Sequence, residues 1–138
     1  MLAQNDVIVD IPENRVQFFG GTGKMLLPSP ATIAAVIKRI PETKVITTVL
    51  LRQTLTEAFE VQGTCPITTQ KALQAVATEG EDVAYWRVLN ANGGLIARFP
   101  GGKAGHAARL RDEGFEIEED GGNVVKVKGF EGQLAQLG

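Results

Sequence analysis

The sequence has 138 residues and a formal net charge of −2; 43% of it is hydrophobic and 22% charged. That is enough chain for one compact domain around one core, and it excludes a disordered tail or a collagen-like repeat. Cys65 is the only cysteine and His106 the only histidine, so no internal disulfide, no cysteine- or histidine-rich metal site and no cofactor is expected.

The chain begins with a segment, Val7 to Met25, in which Val7-Ile8-Val9 and Arg15 to Phe19 read as short strands. Gly20-Gly21-Thr22-Gly23-Lys24 has the look of a phosphate loop, but Phe18 and Met25 stand where that pattern needs Gly and Ser or Thr, so a Gly turn is the reading. Ser29-Pro30 opens a first helix, Ser as cap and Pro at the first helical position. Ile33, Val36, Ile37 and Ile40 follow on one face, and Pro41 ends it. Lys44-Val45-Ile46 is a brief extended step. Thr47 or Thr48 then caps a second helix with Leu51, Leu55, Ala58 and Phe59 as its stripe. A polar loop covers Glu60 to Thr64. A third helix starts at Pro66 to Thr69, is buried through Leu73, Val76 and Ala77, and closes near Gly80.

Val83 to Leu89 reads as a strand, Asn90 to Gly94 as a turn, and Leu95 to Phe99 as its irregular return. Gly101-Gly102 leads to a helix from about Lys103 to Glu113, capped by Gly114. Phe115 to Glu118 and Val124 to Val127 form a hairpin around Asp120-Gly121-Gly122. No repeat or linker divides the chain, so residues 1–138 read as a single domain. No apolar run is long enough to span a membrane. Met1 to Asp10 lacks a basic n-region, which reads against a signal peptide and for a cytoplasmic protein.

Charge is uneven. Asp112 to Asp120 holds six acids and no base, whereas Ile67 to Arg111 holds six bases (Lys71, Arg87, Arg98, Lys103, Arg109, Arg111) against three acids. The middle of the chain is locally positive, which suits a polyanionic partner, although the net charge is not that of a typical DNA-binding domain.

Ala84-Tyr85-Trp86-Arg87-Val88, then Asn92-Gly93, Gly101-Gly102, Leu110 and Glu113-Gly114 come in an order and at a spacing close to those of one known family. Together they resemble the active-site half of the O6-alkylguanine-DNA alkyltransferases, which carry Pro-Cys-His-Arg-Val, an Asp/Asn/Ser-Gly turn, Gly-Gly and a helix ending in Glu-Gly. Ile40-Pro41 and Lys44-Val45 resemble that family's Ile-Pro-x-Gly-Lys-Val step. The resemblance covers residues 31–114. It implies an α/β, mainly α, fold: a winged helix-turn-helix DNA-binding domain, with an N-terminal segment (1–30) and a C-terminal hairpin (115–138) as unmatched additions.

The resemblance puts Tyr85 at the alkyl-accepting cysteine and Trp86 at the proton-relaying histidine. A phenol, protonated at neutral pH and without an activating base, is a far poorer nucleophile than a thiolate, so no enzyme is expected. The same loss marks the alkyltransferase-like proteins, non-catalytic sensors that bind alkylated guanine in double-stranded DNA and recruit repair. By this likeness Tyr85, Trp86, Phe99 and Glu113 would line a base pocket. Tyr85 could equally be a partly buried residue bonded to Glu113, and Trp86 a core residue. Arg87, Gly101 and Gly102 would organise the adjoining loop. The third helix would enter the minor groove, with Thr68, Thr69, Gln70 and Lys71 against DNA and Arg98 on phosphate. The family's base-flipping Arg falls at Thr68 and its helix Tyr at Thr48, both replaced. Thr64-Cys65-Pro66-Ile67-Thr68-Thr69 resembles a branch of the family with Thr-Cys-Pro-Leu-Thr-Thr and Pro-Tyr-Trp-Arg.

Two rival readings stay open. One is a protein-interaction or regulatory module that reuses the fold, with a repair or regulatory protein as partner. The other is a cysteine enzyme with Cys65 at a helix N-terminus and His106 as base. Against the latter, Cys65 reads as a buried structural thiol and His106 as a surface residue.

Overall fold

The computed structural model describes residues 6–79 and 82–137. Strand β1 (Val7–Asp10) runs antiparallel to β2 (Lys24–Leu27), with Val7 opposite Leu27 and Asp10 opposite Lys24. The expected strand over Arg15 to Phe19 is instead helical: a 3-10 turn at Glu13–Arg15 runs into α1 (Val16–Phe19). Arg15 N bonds back to Pro12 O at 2.9 Å and Gly20, at φ +77°, stops the helix, so the segment coils before it can pair. The Gly20 to Lys24 turn is present as read, but the strand that follows it was not expected.

Ser29 caps α2 (Pro30–Ile37), its hydroxyl accepting from Thr32 N at 3.3 Å. Asp6 adds a second clasp by accepting from Ser29 N at 2.6 Å. Ile33, Val36, Ile37 and Ile40 are all buried, as their spacing predicts. After β3 (Ile46–Thr47), the Thr47 hydroxyl accepts from Leu50 N at 3.2 Å, so Thr47 and not Thr48 caps α3 (Thr48–Ala58). Of the stripe on α3, Leu51 and Leu55 are buried, Phe59 is half-buried and Ala58 is exposed. The loop expected to run to Thr64 ends in a short strand, β4 (Gly63–Thr64), parallel to β2 with Leu26 opposite Thr64. This pairing ties the N-terminal segment to the helices. Helix α4 (Pro66–Glu79) buries Thr69, Ala72, Leu73, Val76 and Ala77 and packs on α2. Its expected closure near Gly80 lies outside the described residues.

Val83 to Leu89 is not one strand. Tyr85 N bonds to Val83 O at 2.8 Å and Arg87 N to Ala84 O at 3.1 Å, so Tyr85–Arg87 is a 3-10 turn and only β5 (Val88–Leu89) is extended. Strand β5 pairs in parallel with β3, Val88 opposite Ile46. The Asn90 to Gly94 turn forms, but Leu95 to Phe99 does not return along β5. Leu95 N bonds instead to Val125 O, and Val127 N to Gly93 O. Helix α5 (Gly102–Asp112) precedes a hairpin of β6 (Ile117–Asp120) and β7 (Asn123–Val127). The chain then folds back so that Leu134 bridges Val45 beside β3.

Two main apolar clusters result. The larger joins α2, α3, α4 and Tyr85 with Phe99. The smaller joins Leu89, Leu95, Leu110, Phe115, Val127 and Phe130 under the C-terminal hairpin. Trp86 packs against both, so the turn that carries the family-like motif is the seam of the molecule.

Candidate nucleic-acid interface

The 3-10 turn splits its three side chains. Tyr85 points into the larger cluster and is 6% exposed, its ring edge-on to Phe99 at 4.9 Å and to Trp86 at 5.2 Å. Trp86 and Arg87 turn toward the end of α5. There Trp86 Nε1 donates to Glu113, and Arg87 Nε donates to both Glu113 oxygens at 3.1 Å. Arg87 Nη1 also donates to Ile40 O at 2.8 Å, binding the turn to the end of α2. Arg109 lies over the Trp86 ring, 5.0 Å from its centroid. Glu113 thus accepts from Trp86, Arg87 and, at 3.4 Å, Thr43 N, and the alternative bond to Tyr85 is not formed.

His106 is fully buried and is not the surface residue that was expected. Its position on α5 faces the aromatic cluster, 4.7 Å from Phe99. Nδ1 accepts from Ile96 N at 3.0 Å, and Nε2 faces Trp86 O at 2.8 Å. A carbonyl only accepts, so the ring is neutral with its proton on Nε2. Burial pushes its pKa down to about 4, against a smaller upward pull from Trp86 O. Both ring nitrogens are used, so His106 cannot act as base for Cys65.

Cys65 is buried with Ile11 and Met25 at the start of α4. Burial raises the thiol pKa, but hydrogen bonds from Thr68 (backbone and side chain) and Ile67 (backbone), with nearby Arg15, hold it below its ordinary value.

The residues expected to line a base pocket touch one another in a chain, Phe99 to Tyr85 to Trp86 to Glu113, but they do not line one cleft. Phe99 alone of the four borders an open cleft of about 220 Å³; Thr48, Gln70, Leu73, Gln74, Asn90 and Ile96 to Arg98 complete it. Tyr85 lies beneath Phe99, while Trp86 and Glu113 face the other side of the turn. Of the residues expected against DNA, Gln70 and Lys71 are exposed on α4, and Arg98 donates to Gln70 Oε1 at 3.2 Å from the facing loop. Thr69 is not on that face. It is 1% exposed and donates to Cys65 O at 2.7 Å, because position 69 falls on the buried stripe of α4. Thr68 is half-buried and turned toward the Cys65 thiol.

Gly101 and Gly102 hold φ of +79° and +68°, which lets the loop turn sharply into α5. Gly105 is a requirement that the sequence did not suggest: a Cβ there would stand 2.4 Å from Pro100 O. Its signal is the spacing of four from Gly101, whose carbonyl accepts from Gly105 N at 3.1 Å. Gln74, Asn90 and His106 were also missed as parts of the site. Gln74 had a readable signal, lying one helical turn from Gln70.

No protein-family model and no curated protein matches the chain. Among solved structures it is similar to S. pombe Atl1 in complex with damaged DNA containing O6-carboxymethylguanine, and to S. pombe ATL in complex with DNA. Each match has a TM-score of 0.59 at 20% identity and covers 78% of this chain and 94% of the other. What is shared at that identity is the fold: the protein is a mixed α/β chain, with five α-helices and small sheets among the described residues, arranged as in Atl1.

Proposed function

We propose that the protein is a non-catalytic, alkyltransferase-like DNA-binding protein that uses α3 and α4 as a helix-turn-helix and senses O6-alkylguanine or related base damage for repair. The observation that carries this reading is the cleft itself. It opens between the exposed face of α4 and the loop at Ile96 to Phe99, with the amides of Gln70, Gln74 and Asn90 at its edge and Arg98 beside it. Amide groups around an aromatic wall suit a nucleobase, which offers both a flat face and a hydrogen-bonding edge. The fold shared with a protein solved on damaged DNA supports the same reading.

The non-catalytic part of this reading is supported by the turn. Tyr85 is buried under Phe99, and Glu113 is occupied by Trp86 and Arg87. Among the described residues, those that line the cleft include no cysteine, histidine or carboxylate. Fluorescence anisotropy with a plain duplex and one containing O6-methylguanine tests the proposal. Salt-sensitive binding with preference for the modified duplex is the expected result. Equal binding of both removes the lesion-sensing part, and binding of neither removes DNA altogether.

A second reading, a protein-interaction module with a regulatory partner, is favoured by one observation. Val7, Ile8 and Phe18 of the N-terminal segment are exposed at 47%, 37% and 63%. It takes precedence if the folded protein binds neither duplex.

A further inference from the structure

Helix α4 has one solvent face. Ile67, Gln70, Lys71, Gln74, Thr78 and Glu79 are its exposed residues, the first five at helical spacing, while Thr69, Ala72, Leu73, Val76 and Ala77 are buried. Five of those six exposed residues are polar or charged. Ile67, 48% exposed, is the exception. Its backbone N–H is pinned to the Cys65 thiol, and the next residue, Thr68, turns its hydroxyl back to the same sulfur. The side chain that projects from the first turn of α4 is therefore Ile67, on a backbone already fixed.

On the basis of the DNA-binding reading above, we propose that Ile67 is an apolar wedge that enters the base stack and displaces a base toward the adjacent cleft. Aliphatic side chains do this in many minor-groove proteins, where the cost of unstacking is offset by burial of the wedge and by new contacts. Two features of the placement support the role. The cleft at Gln70 and Gln74 lies three to seven residues farther along the same face, about 5 to 10 Å at 1.5 Å per residue. That is on the order of two or three base-pair rises, so a base displaced at the wedge has the cleft within reach. Lys71 and Arg98 flank the same face and supply the positive charge that holds a phosphate backbone there.

The test uses the full chain and a short duplex carrying a single 2-aminopurine, whose fluorescence rises when it leaves the stack. Anisotropy on the same samples reports binding. The wild-type protein is expected to bind and to raise the fluorescence. Ile67→Ala is expected to unfold at the wild-type temperature, bind on the order of tenfold more weakly and lose most of the rise. Ile67→Leu is expected to restore both. A rise in Ile67→Ala equal to wild type overturns the wedge, as does wild-type binding with no rise; both leave DNA binding intact. Failure of the wild-type protein to bind at all is a different result, which overturns the DNA reading and the wedge with it.

Discussion

At the scale of single residues, the side chain that does most to define the site is one that no motif includes. His106 joins the loop at Ile96 to the turn at Trp86 through its two nitrogens, and it does so only when neutral. Its pKa is near 6.5 in the unfolded chain and about 4 in the fold, lowered by burial. Between those values the unfolded chain binds the proton more tightly. Stability is therefore fully present above pH 6.5 and falls by about 3 kcal/mol as pH drops toward 4. Urea denaturation from pH 7 to 4 checks this. The wild-type protein is expected to lose that much more than His106→Gln over the window, since carboxylate titration is common to both. Parallel pH profiles would show that the ring is not held neutral. A lone histidine on a weakly amphipathic helix carries no sign of such a role, because its partners are backbone groups of two other segments. The family-like motif was easier to read: Arg87 and Glu113 were singled out, and they form one ion pair at 3.1 Å. What the motif did not reveal was direction, for Tyr85 and Trp86 are adjacent in sequence and point into different surroundings.

At the scale of elements, helix starts were legible because capping is local. Ser29-Pro30 and Thr47 carry their own hydrogen-bond chemistry, and the structure uses both. The strands were less legible. β4 and β5 are two residues long, and each exists only through a partner far away in sequence, as Leu26 is for Thr64 and Ile46 for Val88. The loop into α5 shows the same limit. Gly101-Gly102 signals a turn, but Gly105 reads as a mere weak point in a helix. An Ala in mid-helix ordinarily gains up to about 1 kcal/mol over Gly. Here its Cβ would meet the Pro100 carbonyl at 2.4 Å, a backbone atom that cannot swing aside. Overpacking of this kind costs roughly 1–3 kcal/mol, so the clash outweighs the propensity. Gly105→Ala is expected to lower stability by about 1–2 kcal/mol in urea denaturation and to weaken duplex binding by shifting Phe99. A more stable variant would mean that the loop yields freely and does not set the cleft wall.

At the scale of the whole molecule, the net charge of −2 conflicts with a polyanionic partner unless the charges are segregated, and they are. Glu118 and Glu119 on the hairpin face Lys126 and Arg111 at 3.7 Å, so part of the acidic cluster is matched within the protein. The face of α4 and its facing loop carries Lys71 and Arg98 instead. Two or three phosphate contacts from such a face predict a slope of roughly −1.8 to −2.7 in log K against log salt. Raising salt from 50 to 200 mM would then weaken duplex binding about ten- to fortyfold, far less than for a strongly basic domain. Arg98→Ala should make the slope shallower by about 1 and weaken plain and modified duplexes alike, because a phosphate contact carries no information about the base. A loss confined to the modified duplex would instead place Arg98 on the base, and the cleft rather than the backbone would then be what it serves. A slope much steeper than −3 would move the interface away from α4, toward a surface with more cations than this one has.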